Sequence, residues 1–88
     1  MANHASAAKR ARQSEKRRLV NRVRKSAMRT AIKRVLAAVE AGDAEAAKAA
    51  LSRAVPLIDR AGRRGVIHRN QAARRVSRLN AKVKALSA

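Results

Sequence analysis

Leu19, Val23, Ala27, Ala31 and Val35 recur every four residues, and Met28, Ile32, Leu36 and Val39 join them on the later turns. Met28, Ile32, Val35 and Val39 step by four, three and four, the seam of a helix packed against antiparallel neighbours. Between Ala5 and Ala41 there is neither Pro nor Gly, and Ala, Arg, Lys and Leu are good helix formers, so the pattern predicts one long first helix there. Its second half carries the seam and belongs to a bundle. Its first half is polar on every side, although Leu19, Val20 and Val23 extend the apolar stripe into it, and it protrudes.

Gly42 is placed to close that helix and Asp43 to cap the next, with Glu45 in the first turn where a carboxylate suits the helix dipole. A tight helical hairpin follows. The second helix is expected from Ala44 to Ala61, burying Ala47, Leu51, Ala54 or Val55, and Ile58. Pro56 removes a backbone donor in mid-helix and predicts a kink, the alternative being a split into two short helices. Gly62, Arg63, Arg64 and Gly65 read as a basic loop between two breakers. A third helix is expected from Ile67 to Ala85, with Ala72, Val76, Leu79, Val83 and Leu86 spaced four, three, four and three. The pattern thus predicts an all-α fold, a three-helix bundle with a long, protruding basic first helix. It is read as one domain over residues 1–88, with 1–25 the basic helical extension and 26–88 the bundle.

Composition weakens the core this pattern promises. Of the 88 residues 47% are hydrophobic, but Ala supplies 22 of the 41 and no residue is aromatic. The large apolar set is eight Val, six Leu, three Ile and two Met. At roughly 25 cal/mol per Å² buried, these side chains barely offset the ordering cost of such a chain. A net charge of +18 adds self-repulsion, so folding is expected to be coupled to binding of a polyanion. The absence of Cys excludes disulfides and thiolate metal sites, and no apolar run approaches the ~18 residues of a membrane span. The chain reads as soluble and intracellular. An acid-poor N-terminus rich in Ala, Ser and Arg imitates a transit peptide, but the same basic pattern runs on into segments that look structural.

Charge is concentrated at the two ends. Residues 1–34 carry 12 basic and 1 acidic side chains, residues 35–62 carry 3 and 4, and residues 63–88 carry 8 and 0. Within Lys9 to Lys25, nine of seventeen residues are Lys or Arg and only Glu15 opposes them. Arg outnumbers Lys six to three there, and a planar guanidinium forks onto phosphate oxygens. Gln13, Ser14 and Asn21 lie among them and can hydrogen-bond sugar hydroxyls, phosphates or base edges. A solvated charged tail would be the plainer reading, but such tails lack spaced Leu and Val. Nucleic acid is the implied partner.

Catalysis has little to work with. The five acids are scattered, His4 and His68 lie at opposite ends, and Gly42, Gly62 and Gly65 are spaced as helix punctuation and not as a phosphate loop. No enzyme, cofactor, metal or small-molecule substrate is read from the chain. The second basic region is better placed for anions: Arg63 and Arg64 precede a helix start bearing His68, Arg69, Asn70, Arg74 and Arg75, where free N–H groups and the dipole attract phosphate. The plainer role for His68 is to cap or pack. Lys48, Arg53 and Arg60 read as a solvent-facing helix side.

The order and spacing of several stretches carry a resemblance across nearly the whole chain. They are the opening MANHASAAKRARQSEKRRLVNRVRKSAMRTAIKRV, the hairpin AAVEAGDAEAA, PLIDRAGRRGVIHRNQAAR and the final VSRLNAKV. Together they resemble the bacterial small-subunit ribosomal protein family numbered twenty. His4 stands where an apolar residue is common in that family, and many Lys positions are Arg. The resemblance implies a three-helix bundle with an extended first helix, without catalytic role, in the cytoplasmic ribosome among other small-subunit proteins. It implies early, direct binding to the 5′ domain of small-subunit ribosomal RNA, stabilising its fold during assembly, and reach to the long RNA helix near the 3′ end. Carried over by position, the RNA contacts would be Ser6, Lys9, Arg10, Arg12, Gln13, Ser14, Lys16, Arg17, Arg18, Asn21, Arg22, Lys25, Arg29 and Thr30. The third helix would add His68, Arg69, Asn70, Arg74, Arg75 and Arg78.

Two rivals share part of the pattern. A DNA-compacting, histone-like protein has the charge and the Ala-rich helices, but calls for a dimer seam or a long Lys-rich tail that is not obvious here. A membrane-active helix needs a large apolar face, which residues 9–25 lack. The missing aromatics also bear on mechanism, because readers of single-stranded bases stack them on Phe, Tyr or Trp. Recognition of folded RNA by its backbone shape is the expectation.

Overall fold

The computed structural model describes residues 2–87, so Met1 and Ala88, the extreme ends of the single unit expected above, lie outside the described residues. Three helices follow one another: α1 (Ala2–Glu40), α2 (Ala44–Arg63) and α3 (Arg69–Ser87). The all-α fold with a long first helix is as expected. α2 packs against the second half of α1, and α3 packs mainly on α2 with a smaller contact to α1. The first fully buried residue of α1 is Met28, and residues 4–20 are exposed throughout. Residues 4–20 alone make roughly 26 Å of helix that extends beyond the bundle. The molecule measures 66 × 20 × 14 Å, and its radius of gyration is 17.6 Å. A compact chain of this length would have about 12 Å.

The core is small. Met28 and Val35 from α1 meet Ala47, Ala54, Ile58 and Ala61 from α2 and Ala72, Leu79 and Val83 from α3, with Ile67 tucked in from the connecting loop. Ala at four of these positions keeps the helices close but contributes little apolar area. Of the expected seam, Ile32, Leu36 and Val39 are half-buried, as are Leu51, Val55, Val76 and Leu86.

The outer part of the expected stripe does not reach the core. Leu19, Val20 and Val23 are 51%, 44% and 68% exposed, and Ala27 is exposed too. A step of four residues overshoots one helical turn by roughly 40°. Four such steps from Leu19 to Val35 carry the stripe around the helix, so its outer end points away from the face that packs.

The hairpin is closed by local chemistry read correctly from sequence. Gly42 has φ +72°, its N–H donates to the Val39 carbonyl at 3.0 Å, and the Asp43 N–H donates to the Ala38 carbonyl at 3.1 Å. That is a Schellman closure. The Asp43 side chain then accepts from the Ala46 N–H at 3.1 Å, so one residue ends α1 and starts α2. α2 runs unbroken through Pro56, and the split into two helices does not occur. Ser52, whose carbonyl loses its donor, and Pro56 are both exposed, so water can serve that carbonyl.

The second connection differs from the expectation. Gly62 and Arg63 belong to α2, and α3 begins at Arg69 instead of Ile67. Gly65, with φ +73°, is the residue that closes α2, the Val66 N–H reaching the Ala61 carbonyl at 2.9 Å. Gly62 has a tertiary role: a Cβ there would stand 2.7 Å from the Cβ of Ala72. It is a contact point for α3, not a helix breaker.

Candidate nucleic-acid interface

Helical periodicity decides which cations of α1 act together. Arg17, Arg18, Arg22, Lys25, Arg29 and Lys33 return to one side of the helix, interleaved with Ser14, Asn21, Ser26 and Thr30. They line a groove of about 740 Å³ where the protruding helix meets the bundle, and Val66 of the second connection forms part of its wall. Six positive charges thus share a concave surface with four side chains able to hydrogen-bond, and no acid lines it. Such a surface suits a folded polyanion: cations for phosphates, hydroxyl and amide groups for sugar oxygens.

Of the residues expected from sequence, Ser14, Arg17, Arg18, Asn21, Arg22, Lys25, Arg29 and Thr30 are brought together here. Ser6, Lys9, Arg10, Arg12 and Gln13 are exposed farther out on α1, and Lys16 is exposed on α1 outside the groove lining. Ser26 and Lys33 were missed, although their spacing from Arg22 and Arg29, four residues in each case, was a legible signal.

Among the described residues the only ion pair within 4 Å joins Arg18 to Glu15, at 2.7 Å with both side chains well exposed. An exposed pair of this kind contributes little to stability. It does occupy a guanidinium that would otherwise face a phosphate. Glu15→Gln is expected to steepen the salt dependence of nucleic-acid binding by roughly 0.7 to 0.9 log units, the increment of one added phosphate contact. Affinity measured across a salt series checks it, and an unchanged slope would show that Arg18 is not a phosphate ligand.

The arginines of the second basic region do not line a single hollow. Arg63 and Arg69 flank a notch that also contains Asp59, whereas Arg64 lies with Arg24 and Arg60 in a separate hollow beside Val23. His68 is the N-cap of α3: its Nδ1 accepts from the Asn70 N–H at 3.1 Å and its carbonyl from the Ala72 N–H at 3.0 Å. The plainer role for His68 is thus realised, and one donor that would have faced an anion is used internally. Arg74 and Arg78 are exposed on α3, while Arg75 is half-buried with its Nε sealed from water and without a hydrogen-bond partner. His68→Ala is expected to cost about 1 kcal/mol of stability in urea unfolding, and His68→Asn, a good cap, much less. Equal losses in the two variants would deny the capping role.

Among the described residues there is no cluster of three His, Cys, Asp or Glu able to hold a metal, and no helix is long and apolar enough to cross a membrane.

The family model described as "Ribosomal protein S20" matches residues 2–84 of this chain. The chain is 58% identical to small ribosomal subunit protein bS20 of Saccharophagus degradans over 100% of both sequences. It is 59% identical to the protein of that name from Magnetococcus marinus, over 99% of this chain and 95% of the relative. With that of Thioalkalivibrio sulfidiphilus the identity is 60%, over 98% and 100%.

Proposed function

The chain belongs to the ribosomal protein S20 family, and from that premise we propose that it binds the 5′ domain of small-subunit ribosomal RNA directly through the groove centred on Arg22. It is a structural, non-enzymatic component of the small ribosomal subunit. The family likeness gives no support to a DNA-compacting role.

The observation that carries the proposal is the convergence of six cations and four hydrogen-bonding side chains on one concave face, with one exposed ion pair as the only internal competitor among the described residues. Phosphates neutralise this face, and the counterions they release favour association. An A-form duplex presents its 2′-hydroxyls across a wide, shallow minor groove, within reach of Ser14, Asn21, Ser26 and Thr30. The protruding part of α1, with Lys9, Arg10, Arg12 and Lys16, extends the contact beyond the bundle. RNA replaces the packing that this half of the helix lacks, which couples its ordering to binding, and the protein attaches early in assembly. Through its length the same helix reaches toward the long RNA helix near the 3′ end, and other small-subunit proteins are neighbours. Residues 1–25 act as the RNA-holding extension and 26–88 as the anchor.

The test is competition at about 0.3 M salt, where purely electrostatic association is strongly screened. Labelled 5′-domain ribosomal RNA is expected to resist equal lengths of unrelated structured RNA and of duplex DNA. Equal competition by all three would reduce the groove to a general polyanion binder.

A further inference from the structure

Leu19, Val20 and Val23 are the exposed large hydrophobic side chains among the described residues, and Leu19 and Val20 stand one turn before Val23 on the same side of α1. From Val23 an apolar strip runs inward over Ala27 and Ala31, in a groove of about 780 Å³ whose other wall includes Ala46, Ala49 and Leu57 of α2. Val23, Ala27 and Leu57 also line an adjoining hollow of about 150 Å³. Five arginines border the two, Arg34 and Arg53 in the groove and Arg24, Arg60 and Arg64 in the hollow. Among the described residues no acid lines either, and none of the five arginines forms an ion pair.

We propose that this strip docks an acidic amphipathic helix of a separate protein, which holds the chain before it meets RNA and is displaced by RNA. The shape is that of a groove that takes the apolar face of a helix. Between Val23 and Arg34, α1 rises roughly 17 Å, room for three turns of a helix laid alongside. Apolar anchors one turn apart on the partner rest on Val23, Ala27 and Ala31, and the alanines let its backbone approach closely. Its Asp and Glu side chains meet the bordering arginines in charge-assisted hydrogen bonds. Charge complementarity selects this occupant. A chain of net charge +18 repels a second copy of itself, and RNA offers no apolar side chain to Leu19, Val20 and Val23. An acidic partner relieves the self-repulsion and takes the exposed apolar side chains out of water. The displacement rests on the RNA-binding reading above: Ser26 and Thr30 line both the cationic groove and this one, so RNA seated in the first crowds a helix in the second. The docking itself does not depend on that reading.

The probe is a labelled synthetic peptide with Leu at helical spacing and Glu elsewhere, titrated against the full-length protein at about 0.3 M salt. A scrambled peptide of the same composition keeps the charge and loses the apolar face. The ordered peptide is expected to bind at least about tenfold more tightly than the scrambled one, and to shift the NMR signals of Ala27, Ala31 and Ala49. Val23→Gln removes an anchor at an exposed helix position without adding charge, and Gln is a good helix former, so the fold is kept; circular dichroism verifies this. It should weaken the ordered peptide at least about threefold, as should the combined Arg34→Gln and Arg53→Gln variant, whose residues lie outside the cationic groove. Adding 5′-domain ribosomal RNA should release the peptide from wild-type protein. Equal affinity for the two peptides, or shifts centred on Arg22, overturns the proposal. So do concentration-dependent shifts of the same alanines without peptide, which give the strip to a second copy. Peptide retained on the RNA complex overturns the displacement. If wild-type protein shows no preference in the RNA competition described above, the RNA-binding reading fails while the peptide result stands.

Discussion

Replacing Arg17, Arg22 and Arg29 together with Ala is expected to weaken binding to ribosomal RNA by at least about a hundredfold and to flatten its salt dependence by roughly 2 to 3 log units. The three guanidinium groups line the same groove, and among the described residues none of them forms an ion pair. Each can therefore meet phosphate without first leaving a partner. Arg18 is deliberately kept, because its bond to Glu15 would confuse its own loss with the release of a carboxylate. All three residues are exposed, so the bundle should unfold at the same urea concentration as before. Filter-binding or fluorescence titration across a salt series gives both quantities. A full slope with the three arginines absent would mean that RNA lies on another face.

Gly62→Ala is expected to destabilise the fold by about 1–3 kcal/mol, the opposite of its usual effect in a helix. In an exposed helix interior the change would be favourable by roughly 0.5–1 kcal/mol. Here the new methyl group would lie 2.7 Å from the Cβ of Ala72, a buried atom fixed to the backbone of α3 that cannot rotate away. Either α3 shifts outward or the atoms overlap, and in both cases Leu79 and Val83 lose packing farther along the same helix. A core this small has little stability in reserve. Ala72→Gly in the same chain should restore much of the loss, since it removes the opposing methyl group. Urea unfolding of the two single variants and the double variant decides the matter. Gly62→Ala without cost would show that the two helices are less closely fitted than the structure indicates.

These two outcomes separate what different ranges of interaction specify. The groove of Arg17, Arg22 and Arg29 was legible because it depends on helical periodicity within a single element. Ser26 and Lys33 belong to it for the same reason, but reading charge by segment instead of by helix face left them out. Cap chemistry was equally legible: Gly42 and Asp43 act through bonds to neighbours three to five residues away. The role of His68 before α3 was less legible. His68 could present its ring outward or turn it onto the Asn70 N–H, and composition does not distinguish these.

By itself, then, the sequence determined the number of helices, the hairpin, the placement of positive charge at both ends and the family to which the chain belongs. All of these rest on local propensity, capping or the order of residues. Only the tertiary structure decided that Gly62 is a point of helix contact and that the Leu19–Val23 end of the stripe lies away from the core. Those features depend on where α2 and α3 lie against α1, and residues far apart in sequence fix that placement. Gly62 meets Ala72 only because the chain reverses at Gly65, and α2 packs on α1 only because it reverses at Gly42.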